Sequence, residues 1–185
     1  MDLATVRGAD ILADLAERDF TINAMAVPLT VAAAGVGDDC SSAGLLDDTH
    51  MLDPFDGALH LREKRLVEVS DRIFTDDPLR LMRAARFCHT LRLDIEAGLL
   101  RMIQEQAADL ASAAAERVVN EMCITLAAGR TADAARLWAR LGLLRVALPE
   151  SVELEPVWQG EPNALDHLDS LLEDPAAWFR ARCLS

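Results

Sequence analysis

The chain has 185 residues, 51% of them hydrophobic and 26% charged, which is enough apolar material to close one core or a core plus a partial neighbour, so it does not read as a disordered tail. No run of about 18 apolar residues occurs, and the N-terminus has no basic stretch followed by an apolar block, so neither a membrane span nor a signal peptide is expected and cytoplasmic residence is the default. A net charge of -13 argues by itself against a polynucleotide partner, because neutralisation of phosphates by Lys and Arg supplies most of such affinity.

The charge is unevenly distributed, which weakens that exclusion. Residues 61–101 hold nine of the 18 basic residues (Arg62, Lys64, Arg65, Arg72, Arg80, Arg83, Arg86, Arg92 and Arg101) against seven acidic ones, and the acidity lies on either side. Such local basic character suits a small anionic ligand as well as a polynucleotide, and a solvated helix face produces much of it anyway. Cys40, Cys88, Cys123 and Cys183 are widely separated, which disfavours a zinc site and a disulfide framework alike.

In chain order, residues 10–16 read as one or two helical turns. Short apolar runs at 24–28, 45–47, 51–55 and 65–69 read as strands, and the glycine- and aspartate-rich stretch 35–44 reads as a loop. So few strands make no independent sheet, so this part is expected to join strands lying upstream of Met1, leaving an exposed edge through which a homodimer could pair.

From Thr75 the signals turn helical. Asp77 before Pro78 is an N-cap and N1 pair, with Leu81, Ala84, Cys88 and Leu91 forming one apolar stripe. Helices follow over 96–110 and 112–127, the latter closed by Gly129. Another, capped by Thr131, turns Ala134, Leu137, Trp138 and Leu141 inward and closes at Gly142. Pro149, Pro156, Gly160 and Pro162 break the pattern, and 165–179 carries weaker helical signals split at Pro175.

Three constellations stand out. In Arg18-Asp19-Phe20-Thr21-Ile22-Asn23-Ala24-Met25-Ala26, the Arg offers a cation for phosphate, the Asp a carboxylate for sugar hydroxyls and Asn23 an amide to hold them; an ion pair with Asn23 capping a turn accounts for the same residues. Asp53-Pro54-Phe55-Asp56-Gly57 reads as a turn closing a hairpin. In Asp76-Asp77-Pro78-Leu79-Arg80-Leu81-Met82-Arg83-Ala84-Ala85-Arg86-Phe87, the residues Asp77, Arg80, Arg83 and Arg86 recur every three positions and wind along one side of a helix. Arginine forks make planar bidentate bonds to phosphate oxygens or base edges, while Asp77 also serves as a plain N-cap.

These strings, in this order and spacing, together with Ala115-Glu116-Arg117-Val118-Val119-Asn120-Glu121-Met122 and Leu148-Pro149-Glu150, resemble the class II tRNA nucleotidyltransferases (CCA-adding enzymes) and bacterial poly(A) polymerases over residues 1–150. The resemblance implies a mainly α fold. A small α+β remnant of a nucleotidyltransferase head (1–70) is followed by an all-α neck and body (71–150) and by the start of a tail or HD-like domain (151–185), to which His167 and Asp169 would belong. It implies that Arg18 and Asp19 recognise ribose, with Asn23 in support, and that Asp53 to Gly57 form a hinge between head and neck. Asp77 and Arg80 would read the base edge of an incoming ATP or CTP, and Arg83 and Arg86 would complete the nucleotide pocket. Bidentate base contacts of that kind discriminate by about 1–3 kcal/mol each.

The resemblance further implies nucleotide addition to the 3′ end of tRNA or another RNA with Mg2+, whose paired aspartate ligands lie in an upstream region of the family that this sequence does not contain. The chain is therefore expected to be an internal piece of such an enzyme, contributing recognition and inactive alone; the competing expectation is a noncatalytic helical module that binds RNA or a protein. Glu17 stands where the family usually has another Arg, which weakens attraction for a triphosphate, and Asp76 replaces the usual Glu beside the template Asp.

Overall fold

The computed structural model describes residues 9–28 and 51–149. The chain divides into two compact units, Met1–Asp71 and Arg72–Ser185, and the described residues are mainly helical. The sequence-based expectations for 35–44, 45–47 and 151–185, His167 and Asp169 included, lie outside the described residues.

In the first unit, helix α1 (Ile11–Ala16) starts where the Asp10 carboxylate accepts the Ala13 N–H at 2.9 Å, capping the free amides of the first turn. Phe20, Ala24 and Leu66 are fully buried and, with Leu15 and Ile22, form this unit's core. The expected strands shrink to single antiparallel bridges, Phe20 with Glu68 and Ala26 with Leu52, plus the two-residue segment β1 (Arg65–Leu66). The reason is local. Asp19 and Asn23 bond the backbone between them and draw Thr21–Asn23 into a 3-10 turn, while Pro28 and Pro54 have no N–H to give to a ladder.

The expected hairpin at Asp53–Gly57 is likewise corrected, for the turn launches helix α2 (Gly57–Arg62). The Asp53 carboxylate accepts the Gly57 N–H at 2.7 Å and the Ala58 N–H at 2.9 Å, with Asp56 in the left-handed region between them. A carboxylate placed before two free helical amides favours a helix start over a second strand.

The second unit opens with the short α3 (Ile73–Asp76), then α4 (Arg80–Leu91), a two-residue extended segment β2 (Asp94–Ile95) and α5 (Ala97–Gln106), which tightens into a 3-10 turn over Ala107–Ser112. Helices α6 (Ala115–Ala127), α7 (Thr131–Arg140) and α8 (Leu144–Ala147) follow. Helix α4 buries Leu81, Met82, Ala84, Ala85, Cys88 and His89, the repeat of a single helical face, against α6 and α7. Leu91, expected in that stripe, is 47% exposed because the helix ends there, at Arg92 in the left-handed conformation. Helix α7 meets α4 with Ala134, Ala135 and Trp138, and small side chains at such a crossing let the axes come close.

Thr131 is the first residue of α7 and buried; the cap position is taken by Arg130, which is left-handed after Gly129, so the expected Thr131 cap is corrected. Gly129 and Gly142 do close their helices with positive φ, and the Leu143 N–H reaches the Trp138 carbonyl at 2.9 Å across Gly142. The buried His89 ring bonds the Gly129 carbonyl at 2.8 Å, fixing the end of α6 against α4. No described helix is long and apolar enough to cross a membrane.

Candidate functional site

In the first unit the site residues sit just past α1. Asp19 is buried; its Oδ1 accepts the Asn23 amide at 2.6 Å and the Phe20 N–H at 3.1 Å, while Asn23 Oδ1 takes the same N–H at 3.2 Å. Asn23 thus holds the Asp19 carboxylate in place. Arg18 is exposed and reaches back one helical turn, its Nε 3.1 Å from Asp14 Oδ2 with a second contact from Nη2. Asp14 was missed in the sequence reading. Its signal was the i,i+4 spacing to Arg18 on a helix whose other inward residue is Leu15.

The second unit carries the other set on and around the head of α4. Asp77 ends α3 in an extended conformation and its Oδ1 accepts the Leu79 N–H at 3.1 Å, a local turn bond; the N-cap of α4 is Leu79, so the expected Asp77 and Pro78 cap pair is corrected, the helix starting two residues later at Arg80. Its Oδ2 accepts from Arg117 Nη2 at 2.9 Å, in a pair that stays open to solvent with side chains 31% and 55% exposed. Arg80 Nη1 lies 3.4 Å from the Ile73 carbonyl. Arg86 Nε donates to Glu121 Oε2 at 2.7 Å and Arg83 Nη1 lies 3.8 Å from Glu121 Oε1, so one carboxylate ties the two arginines together. The ring of Phe87 adds a cation-π surface, with the Arg86 guanidinium 4.3 Å and that of Arg83 5.4 Å from its centroid.

Arg117 and Glu121 are the residues that the sequence reading left without a role. They stand four apart on α6 and engage α4 at two levels, Arg117 at its head and Glu121 lower down. Glu121 had a readable signal: it falls between Val118 and Met122/Thr125 on the buried face of α6, where a carboxylate needs a partner. The side chain of Glu121 is 8% exposed and that of Arg86 17%, so this pair is mostly out of water, whereas Asp77 with Arg117 is not.

Chemically, the second unit presents guanidiniums held in fixed planes beside a carboxylate at the head of a helix, a donor and acceptor set suited to polar base edges. Among the described residues no three His, Cys, Asp or Glu side chains gather in one cluster. Cys88 is no nucleophile, because burial pushes its thiol up to about 12.

Residues 92–154 match the family model described as the probable RNA and SrmB-binding site of polymerase A. The chain is 40% identical over 121 residues to a CC-adding tRNA nucleotidyltransferase of Geobacter sulfurreducens, covering 65% of this chain and 24% of that protein. It is 35% identical over 161 residues to an A-adding tRNA nucleotidyltransferase of Deinococcus radiodurans, covering 83% and 32%. The fold superposes with a TM-score of 0.63 at 27% identity on a tRNA nucleotidyltransferase complexed with a primer tRNA and an incoming ATP analog, over 78% of this chain and 39% of that one. The chain thus spans between a quarter and a third of the length of these curated relatives. By these matches it belongs to the family of the class II CCA-adding tRNA nucleotidyltransferases.

Proposed function

We propose that this stretch serves an RNA 3′-end nucleotidyltransferase by recognising ATP or CTP and the RNA, rather than by carrying out the phosphoryl transfer. The observation that carries the reading is the head of α4, where Asp77 and Arg80 stand on a rigid scaffold with Asp77 oriented by two contacts, the Leu79 N–H and Arg117. A carboxylate and a guanidinium three residues apart at one helix head, each held by its own contacts, present acceptor and donor to a base edge without losing much side-chain freedom on binding. Arg83 and Arg86, tied to Glu121, hold that helix in register and supply positive potential to the triphosphate. In the first unit Asp19, buried and held by Asn23, is an acceptor for ribose hydroxyls, and exposed Arg18 a cation for phosphate. A relative with a primer tRNA and an ATP analog in place supports both partners. Magnesium belongs in this reading to the whole enzyme, where it would neutralise the triphosphate and activate the attacking hydroxyl.

The test is calorimetric titration of the chain with ATP and CTP in magnesium, beside Asp77→Ala and Arg80→Ala. Heat of binding that disappears in both variants supports the assignment. Equal binding by the variants overturns it. If the unaltered chain binds RNA but neither nucleotide, the helical RNA-binding module becomes the better account.

A further inference from the structure

Asp14 stands within α1, four residues before Arg18, and its side chain is 3% exposed while that of Arg18 is 50% exposed. Arg18 Nε lies 3.1 Å from Asp14 Oδ2, and Nη2 donates to the same oxygen. We propose that Asp14 is a positioning residue for phosphate capture: it holds the Arg18 guanidinium by one side, so that the fork of Nη1 and Nη2 at the tip meets the phosphates of the incoming nucleotide. The inference rests on the reading of Arg18 as the phosphate cation given above and adds the residue through which Arg18 works.

The guanidinium itself argues first. Its N–H donors lie in one plane. Asp14 takes Nε and one hydrogen of Nη2, and the fork at the tip carries one hydrogen from each terminal nitrogen. Two parallel N–H donors of that kind fit two phosphate oxygens. Burial argues next. A phosphate could draw Arg18 off Asp14 or join the pair. Drawing it off takes from a buried carboxylate the cation that neutralises it, which is costly, whereas a half-exposed guanidinium can meet phosphate without leaving. Sharing is therefore the cheaper course. Placement argues third. The Glu17 N–H bonds the Asp14 carbonyl and the Arg18 N–H the Leu15 carbonyl, each at 3.2 Å, so the backbone under the pair is fixed. The next residue is Asp19, which Asn23 holds at 2.6 Å. Phosphate donor and sugar acceptor are thus consecutive residues, each held by a partner four positions away, Asp14 before and Asn23 after. An Arg18 released from Asp14 would lose that fixed offset.

The experiment is calorimetric titration of the full chain with ATP in magnesium and with adenosine, which has no phosphate. It compares the unaltered chain with Arg18→Ala, Asp14→Ala, Asp14→Asn and the double variant Asp14→Ala/Arg18→Ala. Asp14→Ala is expected to weaken ATP binding about two- to tenfold, the range for ordering one long side chain on binding, and to leave adenosine unchanged. Asp14→Asn keeps an oxygen for the guanidinium and is expected to hold ATP affinity near the unaltered value. Once Arg18 is gone, Asp14→Ala is expected to add nothing. ATP and adenosine weakened alike in Asp14→Ala overturns the proposal, for Asp14 then supports only the fold. Tighter ATP binding in both Asp14 variants also overturns it, making Asp14 a counter-charge that competes with phosphate. Loss of ATP affinity in Arg18→Ala with none in Asp14→Ala overturns the inference and leaves the reading of Arg18 standing. ATP binding undiminished in Arg18→Ala, or absent in the unaltered chain, overturns that reading and the inference with it. A second measurement needs no variant at Asp14: the Arg18 Nε–H resonance in NMR, assigned by its absence from Arg18→Ala, is expected to persist when ATP is added. Its disappearance would show phosphate drawing Arg18 away from Asp14 and overturns the proposal.

Discussion

Gly57 lies so close to Thr21 that a Cβ at this position would sit 2.1 Å from the Thr21 carbonyl oxygen and 2.8 Å from its carbonyl carbon. The two sequence strings Arg18 to Ala26 and Asp53 to Gly57 are therefore one interlocked piece: Thr21 Oγ1 also meets His60 Nδ1 at 3.0 Å, and Asp53 fixes the amide of Gly57. What is required of Gly57 is its lack of a side chain. Its neighbour across the gap is backbone, which cannot rotate away. Gly57→Ala is expected to destabilise the chain by about 1–3 kcal/mol, read as a lowered urea midpoint. A midpoint unchanged from that of the unaltered protein would show that α2 can move off Thr21 at little cost.

Glu121 serves two arginines at once, and removing it strands charge away from water. Glu121→Ala is expected to cost about 3 kcal/mol, at the low end for a broken buried pair because Arg86 keeps some exposure. Asp133→Ala breaks only solvent-exposed pairs and is expected to cost less than about 1 kcal/mol. Parallel denaturant curves check the contrast; similar losses in the two variants would contradict it.

Asp77 separates structure from recognition. Asp77→Asn keeps an oxygen for the Leu79 N–H and gives up only the exposed charge pair with Arg117, so stability is expected to stay within about 1 kcal/mol. An amide presents a donor as well as an acceptor, so the relative affinity for ATP and CTP is expected to change. Thermal unfolding beside nucleotide titration checks both halves. A large stability loss with unaltered nucleotide preference would make Asp77 a structural turn residue alone.

Cys88 gives a pH dependence with a definite sign. Burial raises its thiol from 9.0 to about 12, so in that interval the unfolded chain has released a proton that the folded chain retains. Its stabilising contribution is therefore complete below pH 9 and is lost as pH rises towards 12, at no more than about 1.4 kcal/mol per pH unit. Unfolding of the unaltered chain and of Cys88→Ala at pH 8 and pH 10 should show a loss on going alkaline that is smaller in the variant. In the folded state the thiol should resist disulfide reagents at pH 8 and react once urea unfolds the chain.

Local rules made much of this fold readable in advance. The face of α4 through Leu81, Ala84 and Cys88 and the closing glycines Gly129 and Gly142 each depend on residues within a turn or two of one another. Where the reading failed, a local competitor had been weighed wrongly: Asp53 before two free amides starts a helix, and the network of Asp19 and Asn23 bends a segment whose apolar content suggested a strand. The motif strings themselves, in their order, were enough to indicate the family.

The partners of the charged side chains were beyond the sequence's reach. Arg86 and Glu121 are 35 residues apart, Asp77 and Arg117 are 40, and Thr21 and His60 are 39. Periodicity reports which face of a helix is apolar, because that is a property of one helix at a time. Which carboxylate meets which guanidinium depends on how α6 lies against α4, and only packing in three dimensions sets that. The sequence by itself determined the long helices of the second unit, most of their buried faces and the family; the tertiary structure decided that Asp53 starts a helix, that Glu121 holds Arg83 and Arg86, that Arg117 orients Asp77, and that Gly57 leaves room for the carbonyl of Thr21.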